Sequence, residues 1–385
     1  MKGLRKIVDN IKPTFSKGGK LHFLHSTFDA FETFLFVPNK VTANGSHIRD
    51  SIDLKRIMSL VIMALVPALL FGMWNVGYQN SIATGTTNTI LANFIFGLWK
   101  VLPMLVVSYG VGLGIEFAAA QIRGHEVNEG FLVTGILIPM IMPVDLPLWM
   151  LALAVAFSVI IGKEVFGGTG MNIWNPALVA RAFAFFAYPS YMSGDKVWIA
   201  GLGKGREILD SFSGATPLAN AQAGLELPSL QDMFLGFIPG SVGETSTLAI
   251  LLGGALLIYT GIASWKVIFS TFAGGFFTAL LLNLLAPSPD SYMAIPAITH
   301  LLMGGFAFGA VFMATDPVTG AQTEKGKWIF GILVGVMAVI IRVFNPGYPE
   351  GMMLSILLLN TFAPLIDHLV IQTNVKKRLQ RATSK

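Results

Sequence analysis

Ile57-Met58-Ser59-Leu60-Val61-Ile62-Met63-Ala64-Leu65-Val66-Pro67-Ala68-Leu69-Leu70-Phe71-Gly72-Met73-Trp74 runs without one charged side chain. About 20 such residues in a helix cover the hydrocarbon core of a bilayer. The stretch therefore reads as a first membrane span, and similar runs recur along the chain. They are 101–120, 130–142 (short, stopped by Pro143), 146–162, 175–188, 245–264, 267–286, 294–315, 328–342 and 351–371. Leu91–Trp99 precedes the second run and reads as an interfacial or half-membrane piece. The expected fold is an all-α polytopic membrane protein with about ten transmembrane helices.

Composition agrees. Of 385 residues, 54% are hydrophobic and 12% charged, and mean hydropathy is +0.67. Soluble domains carry about 25% charged residues, so most side chains here do not face water. With no cysteine, the chain supplies no disulfide, thiolate zinc site or iron–sulfur ligand. The six histidines are scattered, with no metal-binding spacing among them. No Walker loop or nucleophile elbow is present. The first 20 residues lack the apolar core of a cleavable signal peptide.

The net charge of +5 sits mainly in the two tails, which makes it a topology signal and argues against a nucleic-acid partner. Segment 1–55, in which Phe31–Val37 could form a short interfacial helix, and segment 372–385 are both basic, and both are expected in the cytoplasm. Ten spans put both tails on one side, together with the turns holding Arg123, Lys163, Lys266 and Lys325/Lys327. The Asn75–Asn88 loop and the long loop 189–244 then face outward, to the periplasm of a Gram-negative cell. Lys196, Lys204 and Arg206 are exceptions that a long translocated loop tolerates. The two halves, 56–188 and 245–371, hold five spans each and so have opposite orientations. A weak repeat supports the division: Phe131–Pro143 followed by Asn175-Pro176 is echoed by Phe306–Pro317 followed by Asn345-Pro346. Inverted repeats with broken helices belong to transport folds whose sites lie near the midplane.

Ionisable groups inside spans are costly and therefore functional candidates. Glu116 lies in Val111-Gly112-Leu113-Gly114-Ile115-Glu116-Phe117, where the glycines admit a second helix or a flat ligand; a helix-paired or snorkelling Glu116 is the alternative. Asp367 is placed similarly in the last span. Asp316, before Pro317, is either a turn cap or a third member of an ion-handling set. Arg181 follows Gly167-Gly168-Thr169-Gly170-Met171-Asn172-Ile173-Trp174-Asn175-Pro176. Asn172, Asn175 and Arg181 could together hold a polar, planar cofactor; a hinge with Arg181 paired to Glu164 is the alternative. In the long loop, Ser213-Gly214-Ala215-Thr216-Pro217 presents an exposed threonine on non-helical backbone, either a simple turn or a modified residue. These features alone also suit a cofactor-free channel or secondary transporter.

Longer motifs narrow the choice. They include His47-Ile48-Arg49-Asp50-Ser51-Ile52-Asp53-Leu54-Lys55-Arg56, His125-Glu126-Val127-Asn128-Glu129-Gly130-Phe131, Gly162-Lys163-Glu164-Val165-Phe166-Gly167-Gly168-Thr169-Gly170, Gly305-Phe306-Ala307-Phe308-Gly309, Met313-Ala314-Thr315-Asp316-Pro317 and Asn345-Pro346-Gly347-Tyr348-Pro349-Glu350-Gly351-Met352-Met353. From end to end the chain resembles the B-subunit family of the Na⁺-translocating NADH:quinone oxidoreductases. The D subunit of the Rnf complex is a relative with the same threonine motif and a typically shorter N-terminal tail. The resemblance implies FMN joined through its phosphate to Thr216, with Ser213, Gly214 and Ala215 completing the motif. It also implies a non-covalent riboflavin, ubiquinone as substrate, and Na⁺ uptake through Glu116, Asp316 and Asp367. Gly112, Gly114 and Glu116 match a quinone-sensitive region, although Leu113 stands where a second glycine is often found. The implied setting is a six-subunit complex in the bacterial inner membrane. Its other members include an FMN-bearing C subunit, the D and E membrane subunits and a cytoplasmic A subunit.

Overall fold

A computed structural model describes residues 2–16, 52–123, 130–193, 197–201, 214–289, 291–345 and 350–383, with scattered positions between 19 and 48. Ser213, His47 and residues 49–51 of the tail motif, the turn 124–129, Lys196, Lys204, Arg206 and most of Phe31–Val37 lie outside these residues.

The described chain is helical. An amphipathic helix α1 (Lys2–Phe15) precedes the bundle. The first half comprises α2 (Leu54–Thr84), α3 (Ile90–Arg123), α4 (Phe131–Ile141), α5 (Leu148–Gly162) and α6 (Pro176–Ala187). The long loop carries α7 (Pro189–Met192), α8 (Pro217–Gln222) and α9 (Leu230–Leu235). The second half has α10 (Thr247–Tyr259), α11 (Trp265–Leu284), the broken segment α12 (Ala297–Leu302) and α13 (Phe306–Phe308), then α14 (Glu324–Phe344) and α15 (Gly351–Thr383). Among the described residues, six helices are long and apolar enough to cross a bilayer: α2, α3, α5 with the turn after it, α11, α14 and α15. The chain is a polytopic membrane protein.

Helix pairing in one half recurs in the other. In the first half α3 packs on α4 and α5, and α5 on α6; in the second α11 packs on α12 and α14, and α14 on α15. The halves meet where α2 packs on α10 and α6 on α15. Close crossings rest on glycine, as expected where lipid offers no hydrophobic drive between helices. A Cβ on Gly335 would collide with the Thr271 carbonyl of α11, and one on Gly97 with the Met73 carbonyl of α2.

Several boundaries differ from the sequence reading. The first helix continues through Thr84, into the segment expected as an outer loop. Its polar residues are buried because the long loop folds back onto them. Asn75 Nδ2 donates to the Ile238 carbonyl at 2.9 Å and Asn80 Nδ2 to the Ala200 carbonyl at 2.6 Å. Leu91–Trp99 is not a separate piece but the start of α3, which carries Pro103 internally. The expected eighth span is broken at Met303-Gly304 and ends in a π-helical turn, Gly309–Met313. α15 runs on through the basic tail to Thr383, since the Lys, Arg and Gln of that segment are good helix formers and no breaker intervenes there. Asn175 does open α6, its side chain accepting from Ala177 N and Leu178 N. Its expected counterpart Asn345 instead closes α14, and Pro346 lies outside the described residues.

At 11, 12 and 13 residues, α4, α6 and α10 are about 16–20 Å long, too short to cross a core of about 30 Å. Irregular backbone therefore lies among the spans, where it survives only if buried in protein or lining a cavity.

Candidate functional site

Two cavities occupy opposite ends of the helix bundle. The larger, about 520 Å³, lies between the long loop and the ends of α6, α10 and α15. Arg181 and Phe185 of α6, Trp198, Thr216, Glu244 and Glu350 are among its walls. The smaller, about 110 Å³, is bordered by Met58 at the start of α2, Leu257 near the end of α10, Lys163, Asn172, Asn175 and Asp316.

Thr216 is set in place by local chemistry. Its backbone is extended (φ −71°, ψ 160°), its hydroxyl accepts from Ala219 N at 3.3 Å, and Pro217 occupies the first turn of α8. The residue is thus a helix N-cap as well as a cavity wall. It is half-buried rather than exposed as the sequence suggested, because Leu218 and Ala221 anchor α8 in a small core with Met233, Ile238, Leu302 and Met303. Gly214 and Ala215 are buried beside it.

Arg181 extends into the same cavity, with its side chain 3% exposed. It does not pair with Glu164, which binds Arg123 at 3.0 Å instead. One guanidinium nitrogen donates to Glu244 at 2.6 Å and another to Glu350. The cation therefore holds two carboxylates, Glu244 at the end of the long loop and Glu350 before α15, against α6. Burial pushes the Glu350 carboxyl up to about 8, with the nearby Glu244 carboxylate adding to the rise and Arg181 opposing it. Glu244 and Glu350 were not singled out in the sequence. The usable signal was topological: an arginine inside a span needs counter-charges, and these two glutamates immediately precede the spans that face it.

Asn172 and Asn175 do not join Arg181 in one site. They lie beside the small cavity, with Asn172 Nδ2 donating to the Trp174 carbonyl at 3.0 Å and Asn175 Nδ2 to Asp316 at 3.1 Å. The glycine run before them is a backbone device. Gly167, Gly168 and Gly170 have φ of 119°, 97° and 90°, which side chains with a Cβ rarely adopt.

The three carboxylates read as ion-handling candidates are held differently. Glu116 forms a buried ion pair with Lys163, their side chains 5% and 4% exposed. Asp316 accepts from Val318 N at 2.9 Å, Thr319 Oγ1 at 3.1 Å and Asn175. Asp367 accepts from Gln322 N at 2.7 Å, Thr323 N at 2.9 Å and Thr323 Oγ1 at 2.6 Å, and so fixes the turn that starts α14. The glycines near Glu116 part company. The space beside Gly112 is filled by the Phe131 ring, so a flat ligand has no room there, whereas Gly114 is open.

A helical bundle with broken spans and a charged, ligand-sized cavity at one end defines a polytopic integral-membrane protein with a candidate ligand site. The particular assignment comes from comparison with known proteins. Residues 41–376 match the model of the NQR2, RnfD, RnfE family, and the chain belongs to that family. It is 48% identical to the B subunit of the Na(+)-translocating NADH-quinone reductase of Ectopseudomonas mendocina (strain ymp), over 98% of this chain and 99% of that protein. It is 47% identical to the same subunit from Stutzerimonas stutzeri (strain A1501), with the same coverage. The corresponding figure for Chromohalobacter salexigens is 46%, over 98% and 97%.

Proposed function

We propose that the chain is the membrane-embedded B subunit of a Na⁺-translocating NADH-quinone reductase, working within a multi-subunit complex of the bacterial inner membrane. In this reading it crosses the membrane ten times as two inverted five-helix halves. Both termini are cytoplasmic and the Thr216 loop is periplasmic. The domain division follows: tail 1–55, halves 56–188 and 245–371 around loop 189–244, and tail 372–385. Partners are the FMN-bearing C subunit, the D and E membrane subunits, the cytoplasmic A subunit, and lipid.

The observation that carries the reading is the placement of Thr216. Its hydroxyl borders a cavity of about 520 Å³, within the range that holds cofactor-sized ligands. The donor set fits FMN esterified through its phosphate to this oxygen. Phe185 and Trp198 offer flat apolar surface, and the Arg181–Glu244–Glu350 cluster offers hydrogen-bonding groups. When bound, FMN and a non-covalent riboflavin supply the one- and two-electron chemistry, and the protein supplies position and field. The residues do the rest. Glu244 and Glu350 fix the Arg181 guanidinium, and α8 fixes the hydroxyl. Toward the other end, Asn172 and Asn175 hold the broken start of α6. Glu116, Asp316 and Asp367 provide carboxylates for Na⁺, and the exposed face of α3 at Gly114, turned away from the buried Gly112 and Glu116, offers a surface for ubiquinone.

The test is functional. The complex purified through a tag on this chain should reduce ubiquinone with NADH, faster as Na⁺ is raised. A purified complex whose rate ignores Na⁺ would contradict the proposal.

A further inference from the structure

Glu116 and Asp316 stand in opposite electrostatic conditions, and one lysine lies between them. Glu116 is neutralised by Lys163 in a pair almost closed to solvent. Asp316 is held by neutral donors of Asn175, Val318 and Thr319 and, among the described residues, has no ion pair. Lys163 also borders the small cavity on which Asp316, Thr134, Thr169 and Thr315 open. Its volume of about 110 Å³ accommodates about three waters, or a small cation that keeps part of its hydration shell.

A carboxylate taken out of water needs a cation, since an unpaired buried charge costs several kcal/mol. Any Na⁺ reaching Glu116 therefore meets an occupied site. We propose that Lys163 is the resident cation of Glu116, a built-in competitor that Na⁺ displaces, with the freed ammonium moving across the small cavity to Asp316. Na⁺ replaces the ammonium at Glu116, and the ammonium gives the half-buried Asp316 the partner it lacks, so the one charge that enters leaves both carboxylates paired. Lys163 is then a positioning residue that sets how much Na⁺ is needed. The inference rests on the reading of Glu116 as part of the Na⁺ path.

The experiment is a Na⁺ titration of the purified complex, read by ²³Na relaxation and by the Na⁺ dependence of the melting temperature. Both readouts are independent of turnover. Lys163→Met removes the competitor and should lower the Na⁺ concentration at half-saturation by about tenfold or more, because the competent state no longer has to be freed first. Lys163→Arg keeps the charge and grips a carboxylate with two donors, so half-saturation should rise. If Lys163→Met does not assemble, Lys163→Arg decides alone. Half-saturation unchanged from wild type in the variants that assemble overturns the proposal. Glu116→Gln separates the two claims: wild-type Na⁺ binding in that variant removes Glu116 from the path itself, whatever the Lys163 variants show.

Discussion

The two ends of the bundle solve the problem of buried charge in different ways. At the Thr216 end, one cation holds two carboxylates around a cavity of about 520 Å³. At the other end, Glu116 is held by Lys163, Asp316 by neutral donors and Asp367 by a helix start, and only Asp316 borders the cavity of about 110 Å³. A wide cavity with flat apolar walls and a fixed polar cluster is large enough for an organic cofactor. A narrow one with oxygen donors suits a small hard cation. Under the proposed function, the electron carriers and the ion-handling carboxylates fall at separate ends of one bundle.

The comparison can be broken most forcefully at Arg181. Arg181→Leu leaves Glu244 and Glu350 without their shared cation, and should destabilise the protein by about 3–5 kcal/mol. Thermal melting of the detergent-solubilised protein reads this loss. Adding Glu350→Gln to that variant should recover part of it, and no recovery would mean that the pair is not held through Arg181.

Asp367→Ala comes next. It strips the turn before α14 of an acceptor for two backbone N–H groups and the Thr323 hydroxyl; these groups are exposed or half-buried, so the loss is about 0.5–1.5 kcal/mol for each bond. It should also weaken the Na⁺ stimulation of quinone reduction. Lost stability with unchanged Na⁺ dependence would make Asp367 a cap and nothing more.

A smaller effect is pH-dependent. The Glu350 carboxyl titrates near 8 in the folded protein and near 4.3 in a free chain. Between these values the unfolded state has given up a proton that the folded state keeps. Its contribution is therefore complete in acid and is lost as pH rises toward 8. The melting temperature should fall over that window, and Glu350→Gln should flatten the fall. An identical slope in the variant would detach Glu350 from the effect.

Much of the architecture was legible in the sequence because long apolar runs have one cheap solution in a bilayer. Broken spans were legible too, from Pro143, Asn175-Pro176 and the glycine run. What could not be read was who meets whom. Asn75 and Asn80 look like loop residues until the carbonyls of Ile238 and Ala200 are seen beside them. Arg181 announced a need for counter-charge, but Glu244 and Glu350 are 63 and 169 positions away, and local pattern carries no such information. Grouping Asn172, Asn175 and Arg181 failed for a related reason. Six residues along a helix amount to about 9 Å, enough to turn the asparagines to one cavity and the arginine to the other. Thr216 was legible as a motif, whereas its cavity depends on α8 packing against Leu302 and Met303 from the broken span.

The most direct measurement concerns Thr216. As an N-cap it is worth about 1 kcal/mol, so Thr216→Ala should fold and assemble almost normally. The denatured wild-type chain, from a strain with the flavin transferase, should fluoresce as a flavoprotein on a gel. Its intact mass should exceed the chain mass by one FMN less one water, and both signals should vanish in Thr216→Ala. A non-fluorescent wild-type band at the unmodified mass would contradict the account.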